Sequence, residues 1–146
     1  MKAVKKQHIF YMIIVFLSMI SCNKINTEET IEDNNDNYYV KYIAYEDSDR
    51  IMITDVIINT PDGEMTFPGS SKFEKSIGPI KKGFQASISV MGKGYKTGNP
   101  AYIEIHVSKN KEPFTIKLLK EANIGTGTND IGYGSGTATF IVGSEE

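Results

Sequence analysis

The feature that most constrains this chain is a two-residue alternation of apolar and polar side chains that recurs between residues 38 and 142. In YYVKYIAYE, Tyr38, Val40, Tyr42 and Ala44 alternate with Tyr39, Lys41, Ile43 and Tyr45, and Lys41 marks the second set as outward. GFQASISV puts Phe84, Ala86, Ile88 and Val90 on one face against Gln85, Ser87 and Ser89. AYIEIHV sets Ile103, Ile105 and Val107 against Tyr102, Glu104 and His106, and TATFIV sets Ala138, Phe140 and Val142 on one side. A period of two is the signature of a half-buried strand, because successive side chains of a strand point to opposite faces.

The intervening segments read as further strands and turns. IMITDVIINT is a β-branched run that ends at the turn Thr60-Pro61-Asp62-Gly63. Residues 64–67 can pair back across that turn until Pro68-Gly69 stops them, and residues 71–77 form another short strand ended by Gly78-Pro79. Gly92, Gly94, Gly98 and Pro100 are expected to break the chain, and Lys109-Asn110-Lys111 to turn it toward FTIKLL. The glycine-rich stretch 123–136 is expected to be a loop. Seven or eight short strands with turns about every ten residues predict one all-β domain over residues 38–146, a β-sandwich with Greek-key order. A small barrel is the alternative.

The chain before this domain has a different character. Lys2, Lys5 and Lys6 precede an unbroken apolar run at residues 9–17, too short to span a bilayer comfortably. Residues 1–21 therefore read as a secretory signal. The segment Met19-Ile20-Ser21-Cys22 resembles the lipobox of bacterial lipoproteins, in which the signal is cut before a cysteine that becomes the lipidated first residue. That resemblance implies lipidation of Cys22 with thioether-linked diacylglycerol and an N-acyl chain such as palmitate. More than one acyl chain is what stable anchoring requires. Residues 22–37 are then the lipidated cysteine and a disordered acidic tether, with Glu28, Glu29, Glu32, Asp33 and Asp36 opposed by Lys24 alone. The expected location is the outer membrane, lipid-anchored, on its periplasmic or cell-surface side.

Composition removes several functions. Cys22 is the only cysteine, so neither an intrachain disulfide nor a cysteine-only metal centre can form. The formal charge of −2 hides opposing parts. Loss of the three leader lysines leaves 13 basic side chains against 18 acidic, and the tether carries most of that excess. The domain itself is nearly neutral, which gives no footing for nucleic acid.

YYVKY, IGPIKKGFQASISV and IEIHVSKNKEPFTIK together resemble a family of small Bacteroides-type cell-envelope lipoproteins. The matching positions are Tyr38-Tyr39-Val40-Lys41-Tyr42, Gly78-Pro79, Lys82-Gly83-Phe84 with Ala86, and Val107-Ser108-Lys109-Asn110 with Pro113-Phe114. They fall within residues 38–120. The resemblance implies an envelope lipoprotein with an immunoglobulin-like or similar β-sandwich and no enzymatic activity.

Candidate sites are few. His8 leaves with the leader, and His106 has Glu104 two residues away on the same face but no third group for a catalytic triad, so it is expected to be an exposed strand histidine. Asp47, Asp49, Asp55 and Asp62 could offer oxygens to calcium, although none has the spacing of a dedicated loop. No metal or other cofactor is expected. The glycine-rich stretch leads into a strand rather than a helix N-terminus, which argues against nucleotide binding. Tyr39, Tyr45, Tyr95 and Tyr102 could form an aromatic strip for a glycan or for an envelope or host protein, and Tyr133 could do the same from the glycine-rich loop. Cross-strand packing explains the same residues without a ligand. The expected role is a non-catalytic binding or adhesion module, the alternative a structural or assembly component of an envelope complex.

Overall fold

A computed structural model describes residues 35–95, 100–125 and 131–144. The expected leader, Cys22 and the tether up to residue 34 lie outside the described residues, as does the middle of the glycine-rich stretch, 126–130. The described residues belong to the unit Asn35–Glu146. Its buried apolar side chains run from Tyr38 to Val142, so this unit carries its own core.

Eight strands form it: β1 Tyr38–Glu46, β2 Ile51–Thr60, β3 Gly63–Pro68, β4 Lys72–Ile80, β5 Gln85–Gly94, β6 Ala101–Lys109, β7 Thr115–Ala122 and β8 Gly132–Ile141. They make two four-stranded sheets of a β-sandwich, ordered β4-β1-β6-β7 and β3-β2-β5-β8. Every pairing is antiparallel. Adding four to each strand number, counting past eight back to one, converts the first order into the second read backwards. Each half of the chain sends its outer pair of strands to one sheet and its inner hairpin to the other.

Odd-numbered strands run away from the end where the chain enters, and even-numbered strands run back. The near end therefore holds the β2–β3, β4–β5 and β6–β7 turns, and the far end holds the β1–β2, β3–β4, β5–β6 and β7–β8 connections. A strand of nine or ten residues separates the two ends by about 30 Å. At the near end, Asp36 and Asn37 are part of the fold rather than of the expected tether. Asn110 donates its backbone N–H to the Asn37 carbonyl at 2.8 Å. The Asn110 side chain donates to Asp36 at 2.6 Å, and Lys109 Nζ lies 2.9 Å from the same carboxylate. These hydrogen bonds hold the Asp36 carboxyl below the usual carboxylate range.

The alternation read from the sequence sets the inner faces of β1, β5 and β6: Tyr38, Val40, Tyr42, Ala44, Ala86, Ile88, Val90, Ile103, Ile105 and Val107 are buried. Phe84 and Phe140 pack against this core as partly buried residues. β2 buries Ile51, Ile53, Val56 and Ile58, a pattern that changes phase because the β2–β5 register shifts between Ile53 and Asp55. A bulge places one extra residue in a strand and flips the parity beyond it. β4 does not end at Gly78-Pro79. It continues to Ile80 with a register shift against β1, and Gly78 takes φ +138° where a β-carbon would meet the Tyr39 ring at 2.6 Å. Proline is tolerated there because β4 is an edge strand.

The glycine-rich segments also differ from expectation. Gly92 and Gly94 lie within β5 and Gly132, Gly134 and Gly136 within β8, paired Gly92 with Gly134 and Gly94 with Gly132. The reason is close approach. The chain leaving β7 passes beneath Gly92, Gly134 and Gly136, so a β-carbon on Gly92 would meet Ile124 at 2.8 Å as well as the Met52 carbonyl, and one on Gly134 would fall on the Asn123 carbonyl, while Gly94 is backed by Ile51. Only glycine lets two backbones come this near.

A polar contact in the buried core spans the sandwich. The fully buried Tyr42 of β1 donates its hydroxyl to Asn59 of β2, with the backbone oxygen at 2.9 Å and Oδ1 at 3.0 Å. Asn59 Oδ1 also accepts the Ser87 N–H at 2.6 Å, and its amide donates to the Gln85 carbonyl. Burial pushes the Tyr42 phenol far above its ordinary value of 10.0.

Two outcomes follow. Gly134→Ala should destabilise the domain by about 2 kcal/mol, because a methyl group has no room against Asn123, while Ser135→Ala should change stability by less than about 0.5 kcal/mol in urea unfolding. Tyr42→Phe should cost about 1–2 kcal/mol by removing the cross-sheet donor. A phenol kept neutral in the fold adds nothing to pH dependence below 10, where it is neutral in both states. Above that, the unfolded chain ionises first and stability falls. Unfolding curves should therefore show an alkaline loss that is shallower in Tyr42→Phe.

Candidate functional site

The outer face of the second sheet, at the far end, carries the densest group of exposed apolar side chains. Parity generates it. Where glycines occupy the inner positions of β5 and β8, the residues between them face out, so Met91 and Lys93 of β5 stand beside Ser135 and Tyr133 of β8. β2 adds Met52 directly opposite Lys93. The result is one row, Met52–Lys93–Tyr133, with Met91 in the next. Tyr95 and Ile131 adjoin the row just beyond the ends of β5 and β8.

Exposure separates this group from ordinary cross-strand packing. Tyr133 is 75% exposed, Tyr95 56%, Met52 54%, Ile131 49% and Met91 40%. Tyr95 is fixed at its backbone, where its N–H donates to the Arg50 carbonyl at 3.0 Å. Asp49, Arg50, Met52, Lys93, Tyr95 and Ile131 line a shallow hollow of about 190 Å³. Tyrosine, methionine and arginine with a sparse polar rim is the composition of protein-recognition surfaces, and an exposed tyrosine ring can equally stack on a sugar face.

The expected tyrosine strip does not exist as one surface. Tyr95 and Tyr133 lie on the second sheet, whereas Tyr39, Tyr45 and Tyr102 lie on the outer face of the first. Tyr45 and Tyr102 are cross-strand partners with ring centroids 5.2 Å apart and planes at 24°. Tyr45 donates its hydroxyl to Glu104 Oε1 at 3.0 Å, and His106 Nε2 donates to Glu104 Oε2 at 2.6 Å. Burial, then the Glu104 contact, raises the Tyr45 phenol above its ordinary value. His106 is thus not the exposed strand histidine expected, since its side chain is 13% exposed and tied to Glu104. Glu104 thus accepts at both oxygens, one from Tyr45 and one from His106.

The aspartates weighed for calcium are scattered. Asp47 and Asp49 lie in the far-end β1–β2 connection, Asp55 in β2, and Asp62 in the near-end turn. Among the described residues no group of three or more metal-capable side chains gathers. Tyr133 sits on a strand rather than in a loop, which fixes its direction beside Lys93. Met52, Met91, Lys93 and Ile131 were not among the residues expected to bind. Met91 was legible by parity, since it continues the outward series Gln85, Ser87, Ser89. Met52 was not, because it precedes the bulge that changes the phase of β2.

In comparison with family models, curated proteins and solved structures, the chain matches none.

Proposed function

We propose that this chain is a cell-envelope lipoprotein, anchored through Cys22 in the outer membrane, whose sandwich is a non-catalytic binding or adhesion module. The observation that carries the binding role is the exposed group Met52, Met91, Tyr95, Ile131 and Tyr133, set at the end of the domain opposite the point where the chain enters. Its ligand is an envelope or host protein, or a glycan that stacks on Tyr95 and Tyr133. The leader and the lipobox-like Met19-Ile20-Ser21-Cys22 support the location.

β4 returns beside β1 and β8 beside β5, each enclosing a hairpin, which supports two Greek keys. Eight strands in two such keys have the character of a jelly roll. The immunoglobulin-like reading is supported by the two-layer antiparallel architecture, and departs from the constant-domain order in placing β1 and β2 in opposite sheets. The second role, an assembly component of an envelope complex, is favoured by one observation: β8 is a long uncharged strand at a sheet edge.

Two experiments test the proposal. In cells, Cys22→Ser should abolish incorporation of labelled palmitate and release the protein from the membrane fraction, and unchanged labelling would refute the anchor. The soluble unit 35–146 should bind a member of an array of glycans, mucins and envelope proteins. Tyr95→Ala and Tyr133→Ala should each weaken that binding by about tenfold or more. No binding at about 100 µM across the array, about −5.5 kcal/mol at best, would sink the module reading.

A further inference from the structure

Four strands lie at sheet edges, and three of them are guarded. β3 is short and ends in Pro68. β4 carries the Gly78-Pro79 irregularity and sets Lys75 on the inner-face register of Tyr42, with its ammonium 5.9 Å from the Phe67 ring. β7 is charged and shifts register against β6 between Ile105 and His106. Charges, prolines and bulges are the devices by which proteins keep sheet edges from pairing with other chains. β8, GYGSGTATFI, has none of them in its own sequence: ten residues, no charge, no proline, and unbroken register against β5, with Lys120 of β7 reaching its edge at the Thr137 carbonyl.

The free edge of β8 can be assigned residue by residue. Val142 exchanges backbone bonds with the β5 side, donating to Phe84 at 2.9 Å and accepting from Gly83 at 2.8 Å. Alternation then turns the odd-numbered positions outward, Tyr133, Ser135, Thr137, Thr139 and Ile141. Lys120 Nζ donates to the Thr137 carbonyl at 2.6 Å, which confirms the direction of that oxygen. All five odd residues are exposed.

We propose that β8 is a self-complementary docking edge onto which a second copy of this chain adds its own β8, antiparallel and centred on Thr137 against Thr137. Only this register pairs all five outward positions. It sets Tyr133 against Ile141 of the second copy, Ser135 against Thr139, and Thr137 against itself. An aromatic facing a β-branched residue and hydroxyl side chains facing one another are favourable cross-strand pairs. The contact is isologous, so it closes at two copies and does not propagate. It forms about ten backbone hydrogen bonds, two at each hydrogen-bonded pair, once Lys120 gives up the Thr137 carbonyl. It also covers Ile141, which is 52% exposed in the single chain, and extends the Met52–Lys93–Tyr133 row with that residue from the second copy. A charged or proline-bearing foreign strand would lose this match. The pairing stands on edge geometry and does not depend on the binding role.

Sedimentation equilibrium of the unit 35–146 at about 100 µM should give twice the monomer mass. Thr137→Pro removes an N–H that β5 does not use, and should weaken association by about 100-fold while leaving the circular dichroism unchanged. Residues 35–146 contain no cysteine, so single cysteines report the register. Under mild oxidation Thr137→Cys should form a disulfide-linked dimer, its Cα atoms about 5.5 Å apart in a hydrogen-bonded pair. Ser135→Cys alone should not, but should cross-link when mixed with Thr139→Cys. A wild-type monomer at that concentration would overturn the proposal, as would Ser135→Cys cross-linking as readily as Thr137→Cys. Neither result would bear on ligand binding at Tyr95, because the readouts are mass and register alone.

Discussion

The hydroxyl of Tyr42 sits where two sheets press their apolar faces together, and the fold depends on its finding a partner across that gap. A buried phenol without an acceptor would cost as much as several methyl groups gain. The acceptor is Asn59, whose side chain also ties β2 to β5 through Ser87 and Gln85. This contact therefore links the two sheets and ties together the central pair of the second sheet at the near end. The same end holds the Asp36–Lys109–Asn110 clasp where the chain enters. Polar bonds set the geometry there, and apolar packing fills what they enclose.

The far end solves the same spacing problem by removing side chains. Between Ala122 and Ile124 the chain passes so close to β5 and β8 that the inner positions 92, 134 and 136 have no space for a β-carbon. The sandwich narrows to two backbones in near contact, with Ile124 as the buried plug. A glycine in a strand costs conformational entropy and packs nothing itself. The arrangement is stable because Ile124, Ile51 and Ile53 bury their own surface in the space the glycines leave.

These two solutions explain how much of the molecule could be read from residues. β1, β5 and β6 alternate cleanly, since each is central in its sheet with one apolar face, and their inward sets were legible as they stand. β2 is equally central but bulged at Thr54, so its two halves point apolar residues in opposite phase and no single period fits IMITDVII. Gly78-Pro79 and the glycine-rich stretches carry a local signal for breaks. Tertiary contacts override it: an edge position tolerates the proline, and close approach requires the glycines. Tyr133 was legible as an exposed aromatic, but its neighbours were not. They come together only when β2, β5 and β8 are known to be adjacent, which is information about pairing between segments about 40 residues apart.

Pairing glycine with glycine has one more consequence, for the outer face. Where Gly92 faces Gly134 and Gly94 faces Gly132, almost all the side-chain volume of that part of the sheet belongs to the residues between them. Met91, Lys93 and Tyr133 stand on backbone whose inner face is covered by Ile51 and Ile124 rather than by side chains of β5 and β8. Such a platform fixes the points at which these side chains leave the sheet. It also leaves β8 uncharged along its free edge, with glycine or alanine at four of its five inner positions. The glycines demanded by close packing at one end of the core thus account for both the exposed aromatic row and the unguarded strand beside it.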